Sequence, residues 1–162
     1  MLTKKALINM EYQLAQINIA RMREPLDSPL MWEFNHFLGP INELAAHQEG
    51  FIWRLKDEEG TSATSLETPF PDDMVIVNMS VWESLETLRH FVYQTAHSYF
   101  VRRGKQWFEK MDKPHMVLWW VPAGHEPSLE EAAEKLAQLQ QEGPGPGAFN
   151  WGKMFNEKGQ PI

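Results

Sequence analysis

The sequence predicts an α+β fold, a ferredoxin-like split βαβ unit with an antiparallel sheet and helices on one face, and three observations carry that expectation. Residues 12–20 and 74–82 alternate apolar and polar side chains with the period of two that marks half-buried strands. Residues 30–46 and 84–103 instead repeat their apolar side chains at helical spacing. Short aromatic or β-branched runs at 51–55 and 116–121 complete the order strand, helix, strand, strand, helix, strand, which is that of a split βαβ arrangement. A chain of 162 residues, 43% of them hydrophobic, has the size of one domain with one sizeable core. An N-terminal extension over 1–11, a single domain over 12–152 and a loose C-terminal tail over 153–162 are expected.

In the first strand Ala15, Ile17 and Ile19 share one side, with Leu14, Gln16 and Asn18 on the other. Pro25 and Pro29 punctuate the loop that follows. The first helix carries Phe37, Leu38, Ile41, Leu44 and Ala45 on its apolar stripe, and Gly39 followed by Pro40 predicts a kink or split there, because an interior proline has no N–H to give. Gly50 ends the helix, 51–55 reads as a short strand, and 56–73 is charged and rich in turn residues. The third strand is the strongest, with Val75, Val77, Met79 and Val81 on one face and Asn78, Ser80 and Trp82 on the other. Ser84 is an N-cap candidate for a second helix running to Arg103, with Leu85, Leu88, Val92, Ala96 and Tyr99 on one stripe. Pro122 stops the fourth strand, Ser128 and Glu131 open a further helix as a capping box, and the alternating glycines and prolines of 143–147 end it. An edge strand is expected over 148–151.

Charge and composition exclude several functions. Fifteen Lys and Arg against twenty-two Asp and Glu give a net charge of -7, which repels phosphate backbones and anionic lipid, so neither nucleic acid nor membrane is an expected partner. The chain has no cysteine, which removes disulfides, thiolate metal sites and a cysteine nucleophile. No stretch approaches the roughly 20 apolar residues of a membrane span and no signal peptide is evident, so a cytoplasmic protein is expected. His125 and Glu126 are not followed by a second histidine at metal-binding spacing, and the prolines of 143–147 remove donors that a phosphate loop would need. No metal site is predicted.

If the helices cover the Ile17 and Val77 face, the opposite face presents Gln16, Asn18, Asn78, Ser80 and Trp82, which suits a cavity better than a dry core. Packing two such faces from two subunits would form a dimeric α+β barrel, so a homodimer with a small-molecule ligand is the expected assembly. His97 is a candidate general base; with His90 seven residues earlier on one helix, the two lie roughly 10 Å apart and cannot share a metal. Asn18 and Asn78 are candidates to polarise a carbonyl or enolate oxygen, and otherwise serve as hydrogen-bonded polar residues in a wet interface. Trp82 and Trp119 are candidate stacking surfaces, although one of Trp119 and Trp120 must be core. Tyr93 and Arg54 are candidate polar partners for an acidic or phenolic ligand.

The run from Ser80 to Ser84, followed by a helix that reaches Thr95, Ala96 and His97, resembles the dimeric α+β barrel superfamily of antibiotic-biosynthesis and haem-degrading monooxygenases. Residues 14–21, 91–93 and 118–125 with Pro127 more closely resemble an uncharacterised branch of it, a domain of unknown function, and the likeness spans most of 12–151. The haem-degrading pattern implies an asparagine on the first strand, matched by Asn18, and an iron-ligating histidine, matched by His97; where it has a tryptophan on that helix, this chain has Phe91. The resemblance implies a small-molecule-binding protein with monooxygenase-like oxidation of a small aromatic or polycyclic substrate, without cofactor. The alternatives are a non-catalytic module holding haem or another flat ligand, and a structural dimer without a pocket.

Overall fold

The computed structural model describes residues 11–56, 69–95 and 97–162. All of the expected 1–11 extension except Glu11, and most of the turn-rich 56–73 segment, lie outside the described residues. The fold is α+β, with four antiparallel strands and four helices among the described residues. The strands are β1 (Tyr12–Arg21), β2 (Phe51–Arg54), β3 (Val75–Trp82) and β4 (Met116–Pro122), in the spatial order β2-β3-β1-β4. The helices are α1 (Trp32–Ala46), α2 (Leu85–Gln94), α3 (His97–Trp107) and α4 (Leu129–Glu142), with a short 3-10 turn at Pro29–Met31 before α1.

Register follows from the alternation read in the sequence. Opposite β1, β3 sets Asn78 against Asn18, Met79 against Ile17 and Val81 against Ala15, while β4 sets Trp119 against Ala15 and Leu118 against Gln16. Residues directly opposite project to the same side of a sheet, so a slip by one would turn every apolar group over. One face therefore gathers Ala15, Ile17, Val77, Met79, Val81, Val117 and Trp119, all buried. The other gathers Leu14, Gln16, Ser80, Trp82 and Leu118.

Which layer covers which face differs from the expectation. The Ile17 and Val77 face packs against Ala132, Leu136 and Leu139 of α4, not against the helices that follow β1 and β3. Those helices cover the Trp82 face: Ala45 of α1 and Leu85, Leu88 and Phe91 of α2 pack there with Leu14 and Leu118. Both faces are thus covered within one chain, and the polar face through which a shared barrel was expected lies under the chain's own helices. Since both faces are apolar enough to bury, alternation alone does not assign the helices to a side.

The second helix is two. Thr95 is extended (φ -121, ψ -176), and its hydroxyl donates to the Phe91 carbonyl at 2.6 Å and accepts from the His97 N–H at 3.2 Å. One β-branched side chain closes α2 and caps α3, competing with the backbone bonds that would carry the helix through. His97 is therefore the first residue of α3, and the single-helix spacing from His90 does not hold. By contrast α1 runs through Gly39 and Pro40 as one element of 15 residues, with no split. Ser84 caps α2 as expected, exchanging bonds with Thr87 in a reciprocal box.

The end of the chain is not a loose tail. Phe149 and Phe155 are buried on the Trp82 side, and the Trp120 indole donates to the Phe155 carbonyl at 2.9 Å. Where an edge strand was expected over 148–151, a single antiparallel bridge joins the segment to β4, Phe149 and Leu118 exchanging backbone bonds of 2.8 and 2.9 Å. Among the described residues no helix is long and apolar enough to cross a membrane.

Candidate functional site

Between the sheet and helices α1 to α3 lies a cavity of about 860 Å³, within the range of small-molecule sites. Strand residues Asn18, Asn78, Ser80 and Trp82 form its floor, Phe34, Phe37, Ile41 and Asn42 of α1 part of its wall, and His97 and Phe100 of α3 its roof. Phe51, Trp82, Phe91 and His97 make a continuous aromatic run: Phe51 meets Trp82 edge-on at 5.5 Å, Trp82 stacks on Phe91 at 5.3 Å, and Phe91 meets His97 at 4.7 Å. The run is packed ring on ring, with Trp82 1% exposed between Phe51 and Phe91, and forms an aromatic wall to the cavity.

A hydrogen-bonded network fixes the polar floor. Gln16, 7% exposed, donates from Nε2 to Asn78 Oδ1 and to Ser80 Oγ, both at 2.8 Å. The Trp82 indole N–H donates to the same Ser80 Oγ at 2.9 Å. With both lone pairs of Ser80 engaged, that residue has its O–H left to offer, while Asn78 keeps its amide hydrogens and one lone pair on Oδ1. The network therefore fixes the orientation of the two polar groups, Ser80 and Asn78, that line the cavity. Gln16 does not line it and acts by orienting the two residues that do.

His97 supplies the opposite capacity. Its Nδ1 lies 3.4 Å from the Val92 carbonyl, which can only accept, so the ring proton is held on Nδ1 and Nε2 keeps a lone pair. Burial pushes the imidazole below its usual range, with the contact to Val92 acting the other way, so the ring is neutral at pH 7. Arg54, 9% exposed, also lines the cavity, from β2 opposite Ser80.

The expected site residues divide by this geometry. Asn18, Asn78, Trp82, His97 and Arg54 all line this cavity. Trp119 does not: it is buried on the other face under α4, its indole 3.4 Å from Glu131. Tyr93 does not either, being 49% exposed on α2 and set edge-on to Trp151. Residues that sequence reading had not placed at a site include Asn42, Phe34 and Phe100, whose helical spacing looks like ordinary core. The one signal that could have singled out Asn42 is an amide on the apolar stripe of α1, between Ile41 and Ala45. Among the described residues no three acidic or histidine side chains converge as a metal-binding group.

A family model matches residues 13–162, described as "Domain of unknown function (DUF3291)". The chain belongs to the DUF3291 family. That family match covers the whole cavity as well as α4 and the packed C-terminal stretch. No curated protein matches the chain. Among solved structures it is similar to the "Crystal structure of NE2512 protein of unknown function from Nitrosomonas europaea", at 10% identity and a TM-score of 0.44, covering 74% of this chain and 98% of that one.

Proposed function

We propose that this DUF3291 protein binds a flat aromatic small molecule in the cavity between its sheet and α1 to α3, and that the site suits monooxygenase-like oxidation of such a molecule. The observation that carries the reading is the pairing, in one cavity, of an aromatic run through Phe51, Trp82 and Phe91 with a floor whose donors are preset by Gln16. For a phenolic polycycle the chemistry would balance as a ring CH₂ plus dioxygen giving a carbonyl plus water, dioxygen being the oxidant. His97 Nε2 is suited to take the first proton, and the Asn78 and Ser80 donors to hold the oxygen on which negative charge then develops. The strand order β2-β3-β1-β4 with its intervening helices supports the ferredoxin-like reading, and with it membership of the wider monooxygenase-like superfamily. A homodimer belongs to the same reading, joined through surface other than the two covered sheet faces; light scattering on the purified chain tests it.

Titrating the protein with a polycyclic phenol while following tryptophan fluorescence is the direct test. Saturable quenching that disappears in Trp82→Leu is expected; no quenching by any of several polycycles would remove the proposal. Oxygen uptake with the bound phenol then separates turnover from binding.

A second reading, haem held through His97, is favoured by one observation: Nδ1 at a backbone carbonyl with Nε2 unoccupied is how haem- and metal-bound histidines are commonly oriented. His97 would be the ligand and the Trp82 side of the cavity would take the ring. An unchanged absorption spectrum on adding haem, or a Soret shift equal in His97→Ala, rules this reading out.

A further inference from the structure

We infer that Gly104 sets the reach of the cavity: the side chain missing there leaves a notch that admits an extended ligand, a flat aromatic molecule of more than two fused rings. This rests on the flat-ligand reading above and adds to it the size of the ligand and the residue that fixes that size. From α3 and the residue just past its end, the cavity is lined by His97, Phe100, Val101, Gly104, Lys105 and Phe108. Steps of three and four put these six on one face of the helix, the face turned to the cavity. A stripe that lines an interior is ordinarily made of side chains that fill it, as Phe100 and Phe108 are here. Gly104 lies in the middle of the stripe and puts nothing there.

Neither backbone nor packing asks for glycine at this position. Its φ is not positive and its backbone is helical, a conformation open to any residue. Beyond its own helix backbone and chain neighbours, a Cβ added there would meet, among the described residues, only Phe108 Cδ2 at 3.9 Å, an ordinary contact. The helix itself would gain from a side chain, since glycine loses more conformational freedom on folding than alanine does. The glycine inside α1, Gly39, has a local reason: it precedes Pro40, and a Cβ before proline disfavours the helical backbone. Gly104 precedes Lys105 and has no such reason. What accounts for it is the space in front of it, and that space is the cavity.

Position along the helix gives the notch its meaning. The seven residues from His97 to Gly104 rise roughly 10 Å along α3, so the notch lies that far from the end of the cavity walled by Trp82, Phe91 and His97. A two-ring ligand seated at that wall stops short of Gly104, whereas a ligand of four rings reaches it. Nor is α3 free to move aside for a side chain. Arg23 donates from its backbone to the Trp107 carbonyl at 2.8 Å and from Nε to the Lys105 carbonyl at 3.0 Å, and Met22 bridges to Phe108. With the helix end fastened to the continuation of β1, a side chain at 104 takes its volume from the cavity.

Two phenols that differ in length test this: 2-naphthol, with two rings, and 2-hydroxychrysene, with four, titrated by tryptophan quenching against the full chain and its Gly104→Ala and Gly104→Leu variants. The wild type is expected to bind both. Gly104→Leu is expected to weaken the four-ring phenol roughly tenfold and to leave 2-naphthol unchanged, with Gly104→Ala in between. Unchanged binding of the long phenol in Gly104→Leu, or equal loss of both phenols, overturns the inference and leaves the flat-ligand reading intact. Gly104→Ala is expected to melt no lower than the wild type; a lower melting temperature would show that the fold itself needs the glycine, and overturns the inference as well. If Gly104→Leu does not fold, Gly104→Ala decides, a loss of about threefold confined to the long phenol being expected and no loss overturning. A wild type that binds neither phenol removes the flat-ligand reading and this inference with it.

Discussion

At the scale of single residues, Ser80 is the hinge of the site. Its hydroxyl accepts from both Gln16 and Trp82, so Ser80→Ala leaves two buried donors without an acceptor. A loss of about 1–3 kcal/mol in denaturant unfolding is expected, together with weaker quenching by bound ligand. His97 gives a pH dependence whose sign follows from burial. Its folded value lies below the ordinary 6.5, so the folded state favours the neutral ring. That contribution is fully present above about pH 6.5 and is lost as the pH falls through the lower folded value, because the unfolded chain binds the proton first. An NMR titration of the His97 ring is expected to give an apparent value below 6.5, and a value at or above it would contradict the packing against Phe91. Asn18, Asn78 and Trp82 could be picked out in the sequence because they share the polar face of alternating strands, and His97 because its imidazole follows a helix that resembles one carrying a ligating histidine. Asn42 did not stand out, since one amide in a helix looks the same whether it faces a cavity or water.

At the scale of elements, the turn into β2 is constrained more tightly than its sequence suggests. Gly50 has φ +82, and a Cβ there would lie 2.4 Å from the Thr87 side chain, which is itself engaged in the Ser84 box. Gly50→Ala therefore combines backbone strain with a clash against a capping residue, and about 1–3 kcal/mol of destabilisation is expected by thermal unfolding. Gly50→Ala at wild-type stability would mean that α2 shifts freely, which the packing of Leu85 and Leu88 against the sheet opposes. Strand positions and the caps at Ser84 and Ser128 were readable because period and cap chemistry are local. The break between α2 and α3 was not, because it depends on Thr95 bonding backwards to Phe91 and forwards to His97, with no glycine or proline to announce it.

For the whole molecule, the sheet divides a filled side from a hollow one. Leu136, 2% exposed, packs only into the filled side, so Leu136→Ala is expected to cost about 2–5 kcal/mol while leaving ligand affinity unchanged. Phe91→Ala, in contrast, should lower both, since Phe91 belongs to the core under α2 and to the cavity wall. Equal loss of affinity in the two variants would mean that the sheet transmits strain and does not isolate its faces. The sequence reading had the correct two sets of side chains and attached them to the wrong covering layers. Alternation reports that a face is buried but not by what, and the Ser128 cap that opens α4 says nothing of which face that helix covers.

One consequence follows from the path of the last twenty residues. Leaving α4 on one side, the chain passes the outer rim of β4, bridges to it at Leu118, and seats Phe149 and Phe155 on the opposite side. It works as a belt fastened on both sides of the rim, so that Leu118 has no backbone donor or acceptor left for a foreign strand. Stopping the chain after Gly147 would unbuckle it, baring the flanks of Leu118 and Trp120 together with an adhesive strand edge.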